Sequence, residues 1–196
     1  MNNQNKNLSK FIKIALLGAI AALLMLIEIP LIPMFGWLKL DISELPVLMG
    51  AFAFGPMAGV VIEILKLVVN TMLTGSGTGF VGELANFIIG VSFVVPAALI
   101  YHRNKSKKSA IIGMIIGGLF MEVAGIFANI YILLPAYGMA GQINISQYVI
   151  YGLLPFNGIK AVLVSVVTFL VYKRVSNAIF KVDNGFESKK EIKSEI

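Results

Sequence analysis

One stretch decides the fold class: residues 80–101, FVGELANFIIGVSFVVPAALIY, with a single charged side chain, Glu83. About 20 predominantly apolar residues are enough for a helix to span a bilayer. Further apolar runs cover residues 11–29, 45–54, 57–73, 110–134 and 148–172. The 196-residue chain is 58% hydrophobic and 13% charged, with a mean hydropathy of +0.87, so it carries about half the charged fraction of a soluble domain. These patterns predict an all-α integral membrane protein.

The distribution of basic residues predicts how the spans are oriented. Of the 16 Lys and Arg residues, 13 lie before the first apolar run, between the fourth and fifth runs, or after the last. Six spans place all 13 on one side, whereas five spans divide them three against ten. The preference of basic residues for the cytoplasmic side therefore favours six transmembrane helices with both termini cytoplasmic. No small-residue cleavage site follows the first run, so we expect a retained helix and not a signal peptide.

This topology divides the chain into three regions. Residues 1–10 are expected to be a cytoplasmic N-terminus and residues 11–174 a six-helix substrate-binding membrane domain. Residues 175–196 form a polar cytoplasmic tail, whose mixed charge and few apolar residues predict disorder. The outer side then holds the loops 30–44, 74–79 and 135–147.

The composition excludes several functional classes. The chain has no cysteine and one histidine, His102, which excludes disulfides, thiolate chemistry and a histidine-rich metal centre. It has no GxxxxGK[ST] loop for ATP, and the stretch Gly75–Gly79 lacks the strand and spacing of a dinucleotide-binding motif. We therefore expect no enzyme, no metal and no cofactor, and no nucleic-acid partner despite the net charge of +6. Energy for uphill transport would have to come from a partner or an ion gradient.

Polar side chains inside the apolar runs are the candidate functional groups, because an ionisable residue costs about 2.5–3.5 kcal/mol to insert at the centre of a span. Glu63, Lys66 and Asn70 are spaced by three and then four residues, so they share one helical face. Glu63 and Lys66 can also neutralise each other locally, which is the alternative to a functional role.

The other polar residues of the spans indicate a pocket. They are Glu83 and Asn86 in GELANF, Glu122 and Asn129 in the fifth span, and Asn157 and Lys160 in PFNGIK. Lys160 has no acidic residue three or four positions away, so the sequence leaves it unpaired. Hydrogen bonding between helices for packing alone would explain any one of these residues. Amides on three helices together with a lysine, all toward the outer half, instead favour a small-molecule pocket open to the outside.

The outer loop 30–44, PLIPMFGWLKLDISE, is a candidate cover for this pocket. Two prolines end the first helix, and Phe35, Trp37 and Leu40 follow. The loop is long and apolar, which favours a lid that dips into the mouth of the bundle over a flat aromatic ligand. The alternative is that Trp37 belongs to the aromatic belt at the membrane interface.

The first span carries small residues at helical spacing. Ala15 and Ala19 are four positions apart, and Gly18 and Ala22 adjoin them. Small residues at this spacing allow another helix to approach closely. The spacing fits packing inside the bundle at least as well as docking of a partner.

Three segments, in order, resemble the riboflavin-specific S components of energy-coupling factor (ECF) transporters. They are KLDISELPVLMGAFAFGPMAGVVIEILK from residue 39, GSGTGFVGELANFIIG from residue 75, and PFNGIK from residue 155. The resemblance runs from about Lys10 to Arg174 and is weakest in the loop 135–147 and in the tail. It implies a multi-pass protein of a prokaryotic cell membrane that binds riboflavin from the outer face; some members also bind FMN.

The resemblance also implies partners and residue roles. An S component docks on a membrane scaffold subunit that is carried by two cytoplasmic ATPases, and it is thought to topple in the membrane to deliver its ligand. Asn129 and Lys160 match positions expected to hydrogen-bond the flavin, and Glu83, Asn86 and Asn157 lie in matching motifs. The small-residue face described above, with Ala15, Gly18, Ala19 and Ala22, resembles the surface that docks on the scaffold.

Other functions stay open at this point. The same architecture serves other vitamins, such as thiamine or biotin. A stand-alone secondary transporter driven by protons through Glu63, Glu83 and Glu122 is a competitor from a different class. A membrane enzyme has no support beyond the polar residues in the spans.

Overall fold

A computed structural model describes residues 3–175 and is almost entirely helical. Its elements are α1 (Asn3–Met25), β1 (Ile29–Pro30), a 3-10 turn (Pro33–Phe35), β2 (Lys39–Leu40), α2 (Glu44–Phe54), α3 (Pro56–Thr74), α4 (Val81–Arg103), α5 (Lys107–Ala128), a π turn (Asn129–Leu133), α6 (Leu134–Ala136), α7 (Ile145–Gln147), a second π turn (Tyr148–Leu153) and α8 (Leu154–Val175). The all-α membrane architecture expected from the sequence is confirmed. The part of the predicted tail beyond Val175 lies outside the described residues.

Of the six expected transmembrane helices, one is short. Within residues 3–175, five segments are long and apolar enough to cross a membrane: Asn7–Met25, Pro56–Thr74, Val81–Arg103, Lys107–Ala136 and Ile145–Tyr172. The second expected span is α2, whose 11 residues measure only about 16 Å, roughly half of the hydrocarbon thickness. The chain just before it is not helical, and there Leu38, Asp41 and Ser43 are buried in the protein. Non-helical backbone at membrane depth is tolerated only in such a protein-lined environment.

The short helix α2 lies inside the bundle. Val47, Leu48 and Ala51 have no exposed surface, and the tight turn at Gly55, with φ of 108°, reverses the chain directly into α3. This φ lies in the region that only glycine adopts without strain. Pro56 then starts α3 at a position where its missing N–H costs nothing. The result is an antiparallel pair of helices at the centre of the core.

Helices α4 and α5 meet through glycines that allow their backbones to touch. Gly113 and Gly117 are four residues apart on α5. A Cβ on Gly113 would lie 2.6 Å from the Ala97 carbonyl oxygen, and one on Gly117 would lie 2.4 Å from the Phe93 carbonyl oxygen. Small residues at this spacing are a common device for packing membrane helices. The sequence contains this glycine spacing in the segment GMIIG of α5, which the sequence analysis did not single out because it considered small residues only in the first span.

The small residues of α1 divide into two groups. Gly18 and Ala22 are buried, and a Cβ on Gly18 would lie 2.7 Å from the Leu65 Cβ of α3. Ala15 and Ala19 are exposed on the outside of the bundle. Gly18 and Ala22 therefore face the inside of the bundle, with Gly18 against α3, whereas their predicted part in docking stays a prediction. Ala15 and Ala19 remain available to another helix.

We predict that Gly117→Ala destabilises the protein whereas Gly118→Ala does not. The new Cβ at residue 117 would lie 2.4 Å from a backbone carbonyl, but that at residue 118 meets only the Ala161 Cβ at an ordinary 3.4 Å. Overpacking of this kind typically costs about 1–3 kcal/mol, whereas alanine favours a helix over glycine by about 1 kcal/mol. Thermal unfolding of the two purified variants checks this, and equal midpoints would contradict the close α4–α5 contact.

Candidate ligand-binding cavity

A cavity of about 540 Å³ opens at the end of the bundle opposite the start of α1 and the end of α8. This volume is within the range of small-molecule sites. Its wall is formed by the ends of α1, α3 and α5, the starts of α4 and α8, and the loop between α1 and α2. The polar and charged side chains in the wall are Glu28, Lys39, Asp41, Glu44, Asn70, Thr74, Thr78, Glu83, Asn86, Asn129, Tyr137, Asn157 and Lys160.

The loop between α1 and α2 covers one side of the cavity. Its two short strands pair antiparallel, with Ile29 opposite Leu40. Phe35 is buried and packs edge-on against Tyr148, with ring centroids 4.9 Å apart. Gly152 makes room for it, since a Cβ there would lie 2.8 Å from the Phe35 ring. Burial of this aromatic anchor fixes the loop on α8 and its preceding π turn.

A chain of hydrogen bonds leads from this loop into the bundle. Trp37 Nε1 donates to the Tyr148 hydroxyl at 2.9 Å, and that hydroxyl donates to Asn129 Oδ1 at 2.7 Å. The Asn129 amide nitrogen in turn donates to the Gly125 carbonyl at 2.8 Å. Asn129 is thus held in a fixed orientation at the cavity wall, with one amide hydrogen left over for another acceptor.

Each π turn begins at a residue that takes part in these hydrogen bonds: one begins at Asn129 and the other at Tyr148. Each is followed two residues later by a proline, Pro135 or Pro155. Proline cannot donate a backbone hydrogen bond and its ring crowds the preceding turn, and a wider π turn is one way for a helix to accommodate the disruption. The prolines therefore account for the irregular helix ends at the mouth of the bundle.

Lys160 is paired with Asp41, contrary to the expectation that it is free. Its Nζ lies 2.9 Å from Asp41 Oδ2, and both side chains are buried. Asp41 also accepts hydrogen bonds from the Ser43 backbone N–H at 2.8 Å and from the Ser43 hydroxyl. Burial alone would raise the pKa of Asp41, but the ammonium groups of Lys160 and Lys66 and these hydrogen bonds outweigh it and lower that pKa to about 2.

The predicted pair of Glu63 and Lys66 forms, but within a larger cluster. Lys66 Nζ lies 2.6 Å from Glu63 Oε1 and 2.8 Å from Glu44 Oε1 on α2. It also donates to Asn86 Oδ1 on α4 at 3.1 Å. Glu44 and Asn86 line the cavity, whereas Glu63 lies behind it. The cluster ties three helices together at the cavity wall.

Two acidic side chains of the cavity wall, Glu83 and Glu28, have partners close by. Glu83 accepts a hydrogen bond from the Thr78 hydroxyl at 3.1 Å, and that hydroxyl accepts one from the Gly82 N–H at 3.0 Å. Burial raises the pKa of Tyr137, and the nearby charge of Glu83 raises it further. On the loop side, Lys39 pairs with Glu28.

The residues predicted from the sequence to bind a ligand divide by position. Asn129, Lys160, Asn157, Asn86, Glu83 and Trp37 all line the cavity. Phe35 and Leu40 do not: Phe35 packs beneath the loop and Leu40 belongs to the apolar cluster around it. In this structure their apolar side chains anchor the loop, and the expectation that they cover the ligand directly stays a prediction.

Several residues of the wall were missed. Asp41 and Glu44 line the cavity and lie in the segment KLDISE, just before and at the start of α2. Tyr148, which does not line the cavity but orients Asn129, was also missed. An acidic pair in an otherwise apolar loop was the available signal, since charges in such a loop need partners. Glu122, considered for proton coupling, does not line the cavity.

Comparison with known proteins gives consistent matches over almost the whole chain. Residues 9–172 match the family model of the ECF transporter, substrate-specific component. The chain is 36% identical over 179 residues to the riboflavin transporter RibU of Staphylococcus aureus (strain TCH60), an alignment that covers 89% of this chain and 92% of that protein. It is 31% identical over 170 residues to the riboflavin transporter FmnP of Bacillus subtilis (strain 168), with coverage of 83% and 90%.

A solved structure, the S component of a bacterial ECF transporter, has the same fold. It superposes with a TM-score of 0.74 at 37% sequence identity, covering 89% of this chain and 98% of that one.

We predict that Asp41→Asn destabilises the protein by about 1.5–3 kcal/mol, because a hydrogen bond between charged groups is lost and Lys160 is left without its counterion. The double variant Asp41→Asn/Lys160→Met should recover most of this loss, since both charges are then gone. Thermal unfolding in detergent measures both. If the Asp41→Asn variant were as stable as the wild type, the pair of Asp41 and Lys160 would contribute nothing to stability.

The same pair predicts acid sensitivity. The pKa of Asp41 is depressed from 3.8 to about 2, so its contribution to stability is complete above about pH 4 and is lost as the pH falls toward 2. The unfolding midpoint of the wild type should drop over this window by more than that of the double variant.

Proposed function

Because the chain belongs to the family of ECF transporter substrate-specific components, we propose that its cavity captures riboflavin at the outer face of a prokaryotic cell membrane. The protein then delivers the ligand inward together with an ECF module. Family members are transport components, so the chain is a transporter subunit and not an enzyme. The relatives named as riboflavin transporters favour this ligand over another vitamin and favour an S component over a stand-alone proton-driven carrier.

The observation that carries the proposal is the set of amides and one lysine around a cavity of suitable size. The isoalloxazine ring of riboflavin is flat, with a polar edge that presents carbonyl oxygens and one N–H. Asparagine can donate to and accept from such an edge, and lysine can donate to a carbonyl. Asn129 keeps one amide hydrogen after its bond to the Gly125 carbonyl. Asn157 lies in the cavity wall with its amide against Glu122. A buried amide with a hydrogen to spare, such as that of Asn129, favours a ligand that supplies an acceptor.

The aromatic loop and the rim support the remaining parts of the ligand. Trp37 presents its indole to the cavity while its N–H is bonded to Tyr148. A fixed indole is suited to pack on a flat ring. Thr78, Glu83 and Tyr137 line the opposite rim and offer the hydroxyl and carboxylate groups that a polyhydroxyl ribityl chain needs.

The proposed partners are a membrane scaffold subunit and two cytoplasmic ATPases. Within residues 3–175 the chain supplies no nucleotide-binding loop of its own, so ATP hydrolysis must take place in other subunits. The exposed residues Ala15 and Ala19 of α1 are the proposed docking surface, because small side chains there let a scaffold helix approach. Gly18 and Ala22 support this surface from inside the bundle.

The first experiment is the absorption spectrum of the protein purified in detergent after growth with riboflavin. We expect a yellow preparation with about one flavin per chain, and fluorescence quenching should then give the affinity. A colourless preparation that does not quench added riboflavin would overturn the ligand assignment. FMN titrated in parallel shows whether the phosphorylated form is accepted.

We predict that Lys160→Ala weakens riboflavin binding roughly 10–150-fold, because a charge-assisted hydrogen bond is worth about 1.5–3 kcal/mol. Since Lys160 also pairs with Asp41, the double variant Asp41→Asn/Lys160→Met is the control that keeps the fold while removing the ammonium group. It should bind as weakly as the single variant. Wild-type affinity in the double variant would remove Lys160 from the site.

Asn129→Ala should lose roughly 5–100-fold in affinity, because a buried polar atom of the flavin would be left unpaired. If the unfolding midpoint falls but the affinity stays the same, Asn129 serves only to hold the loop through Tyr148.

The docking surface is tested by replacing Ala15 and Ala19 with tryptophan. The two rings would separate the helices that should meet there, so riboflavin binding by the isolated protein should persist while uptake with the complete transporter is lost. Leu119→Trp/Val123→Trp on α5 is the matched control, because these residues are also four positions apart and exposed but lie on another helix; uptake should survive. Normal uptake by the alanine variant would refute the docking surface.

A further inference from the structure

The cluster around Lys66 contains one more acidic group than basic groups. Glu44 and Glu63 both lie within 2.8 Å of Lys66 Nζ, and the three side chains are at most 2% exposed. Asn86, the third partner of Lys66, is neutral. If both carboxyl groups were ionised, the cluster would leave a net negative charge inside the bundle, where an uncompensated charge is very costly.

The neighbouring charges do not cancel this excess. Asp41, in the loop before α2, is already paired with Lys160 of α8 at 2.9 Å, so that pair is neutral as a unit. Helix α4 contributes only Asn86 and Gly90 to the surroundings. Within residues 3–175, Lys66 is the only basic side chain that pairs with Glu44 or Glu63.

The two carboxyl groups also meet each other. A Cβ on Gly90 would lie 2.7 Å from Glu63 Oε1 and 3.0 Å from Glu44 Oε1, so both groups occupy the space that this glycine leaves open. Both groups also lie on the same ammonium group, that of Lys66. Two ionised carboxylates so close together would repel each other, and one proton held by the pair removes this repulsion.

Two buried oxygens of the cluster, Glu44 Oε2 and Glu63 Oε2, have no hydrogen-bond partner among the described residues. Glu63 Oε1 has the Lys66 ammonium group, which Glu63 shares with Glu44. Glu63 has no exposed surface at all. A fully buried carboxyl group beside a second carboxyl group, with one ammonium group for both, is an arrangement in which two acids retain one proton.

We propose that Glu44 and Glu63 share one bound proton, so that the cluster is a neutral unit of one ammonium, one carboxylate and one carboxylic acid. The proton-binding site lies directly behind the cavity, because Glu44 and Asn86 line the wall while Glu63 does not. The site is independent of the ligand: it follows from the packing of α2, α3 and α4. Its consequence is that the wall facing the ligand carries no net charge from this cluster.

Stability measured against pH tests the proposal in the purified, ligand-free protein. The native state keeps a proton that the unfolded chain releases, so the unfolding constant of the wild type should rise about tenfold for each pH unit between mildly acidic and alkaline pH. Glu63→Gln replaces the protonated acid by a neutral group of the same size. It should flatten this dependence and exceed the wild type in stability at alkaline pH.

Glu122→Gln is the comparison variant, because Glu122 is also an acid within a span but lies outside the cluster; most of the wild-type dependence should persist in it, so that the part lost in Glu63→Gln belongs to the cluster. A wild type whose stability does not fall with pH would overturn the proposal. So would a Glu63→Gln variant that is less stable than the wild type by the same amount at every pH, since this identifies Glu63 as an ionised partner of Lys66.

Infrared spectroscopy gives a second readout that does not require the Glu63→Gln variant to fold. A protonated carboxyl group has a carbonyl absorption distinct from that of a carboxylate. We expect this absorption in the wild type and in Glu122→Gln at neutral pH, and its absence from both would overturn the proposal. Neither measurement uses riboflavin, so a failure of the ligand assignment leaves the result interpretable.

Discussion

The ammonium group of Lys66 holds together the part of the bundle on which the cavity is built. A lysine on a membrane helix must find acidic partners inside the protein or reach water, and this side chain has no exposed surface. Its partners come from three helices: Glu44 from α2, Glu63 from α3 and Asn86 from α4. Since α2 is too short to be held by hydrocarbon contacts along a full span, these charged contacts fix its start next to the cavity.

The other half of the cavity depends on irregular helix geometry. Regular helices satisfy all of their backbone groups and offer only side chains to a ligand. Here the two π turns, each just before a proline, start at Asn129 and Tyr148, and the hydrogen bond between these two side chains extends to Trp37 in the loop. The loop, α5 and the segment leading into α8 are therefore linked to one another through the Asn129 amide at the cavity wall.

Much of the fold and half of the site chemistry were accessible from the sequence. Apolar runs predicted the helices because a bilayer sets their length, and polar residues within them predicted six members of the cavity wall because hydrocarbon makes such residues costly. Asp41 could not be assigned in the same way: its partner Lys160 is 119 positions away, and only the folded loop brings them together. The anchoring of the loop by Phe35 and Leu40 was inaccessible for a related reason, since hydrophobicity does not distinguish a side chain that covers a ligand from one that anchors a loop.

The internal pairing of the lysines has a consequence for how a ligand reaches the cavity. Lys39, Lys66 and Lys160 each have a carboxylate partner within the protein, so the basic groups at and behind the wall project little field into the surrounding water. Riboflavin is uncharged, and neither partner then gains from long-range electrostatic attraction. Capture is consequently expected to depend weakly on ionic strength, because there is little field for dissolved salt to screen. A cell surface that meets dilute and saline media alike would retain the same affinity in both.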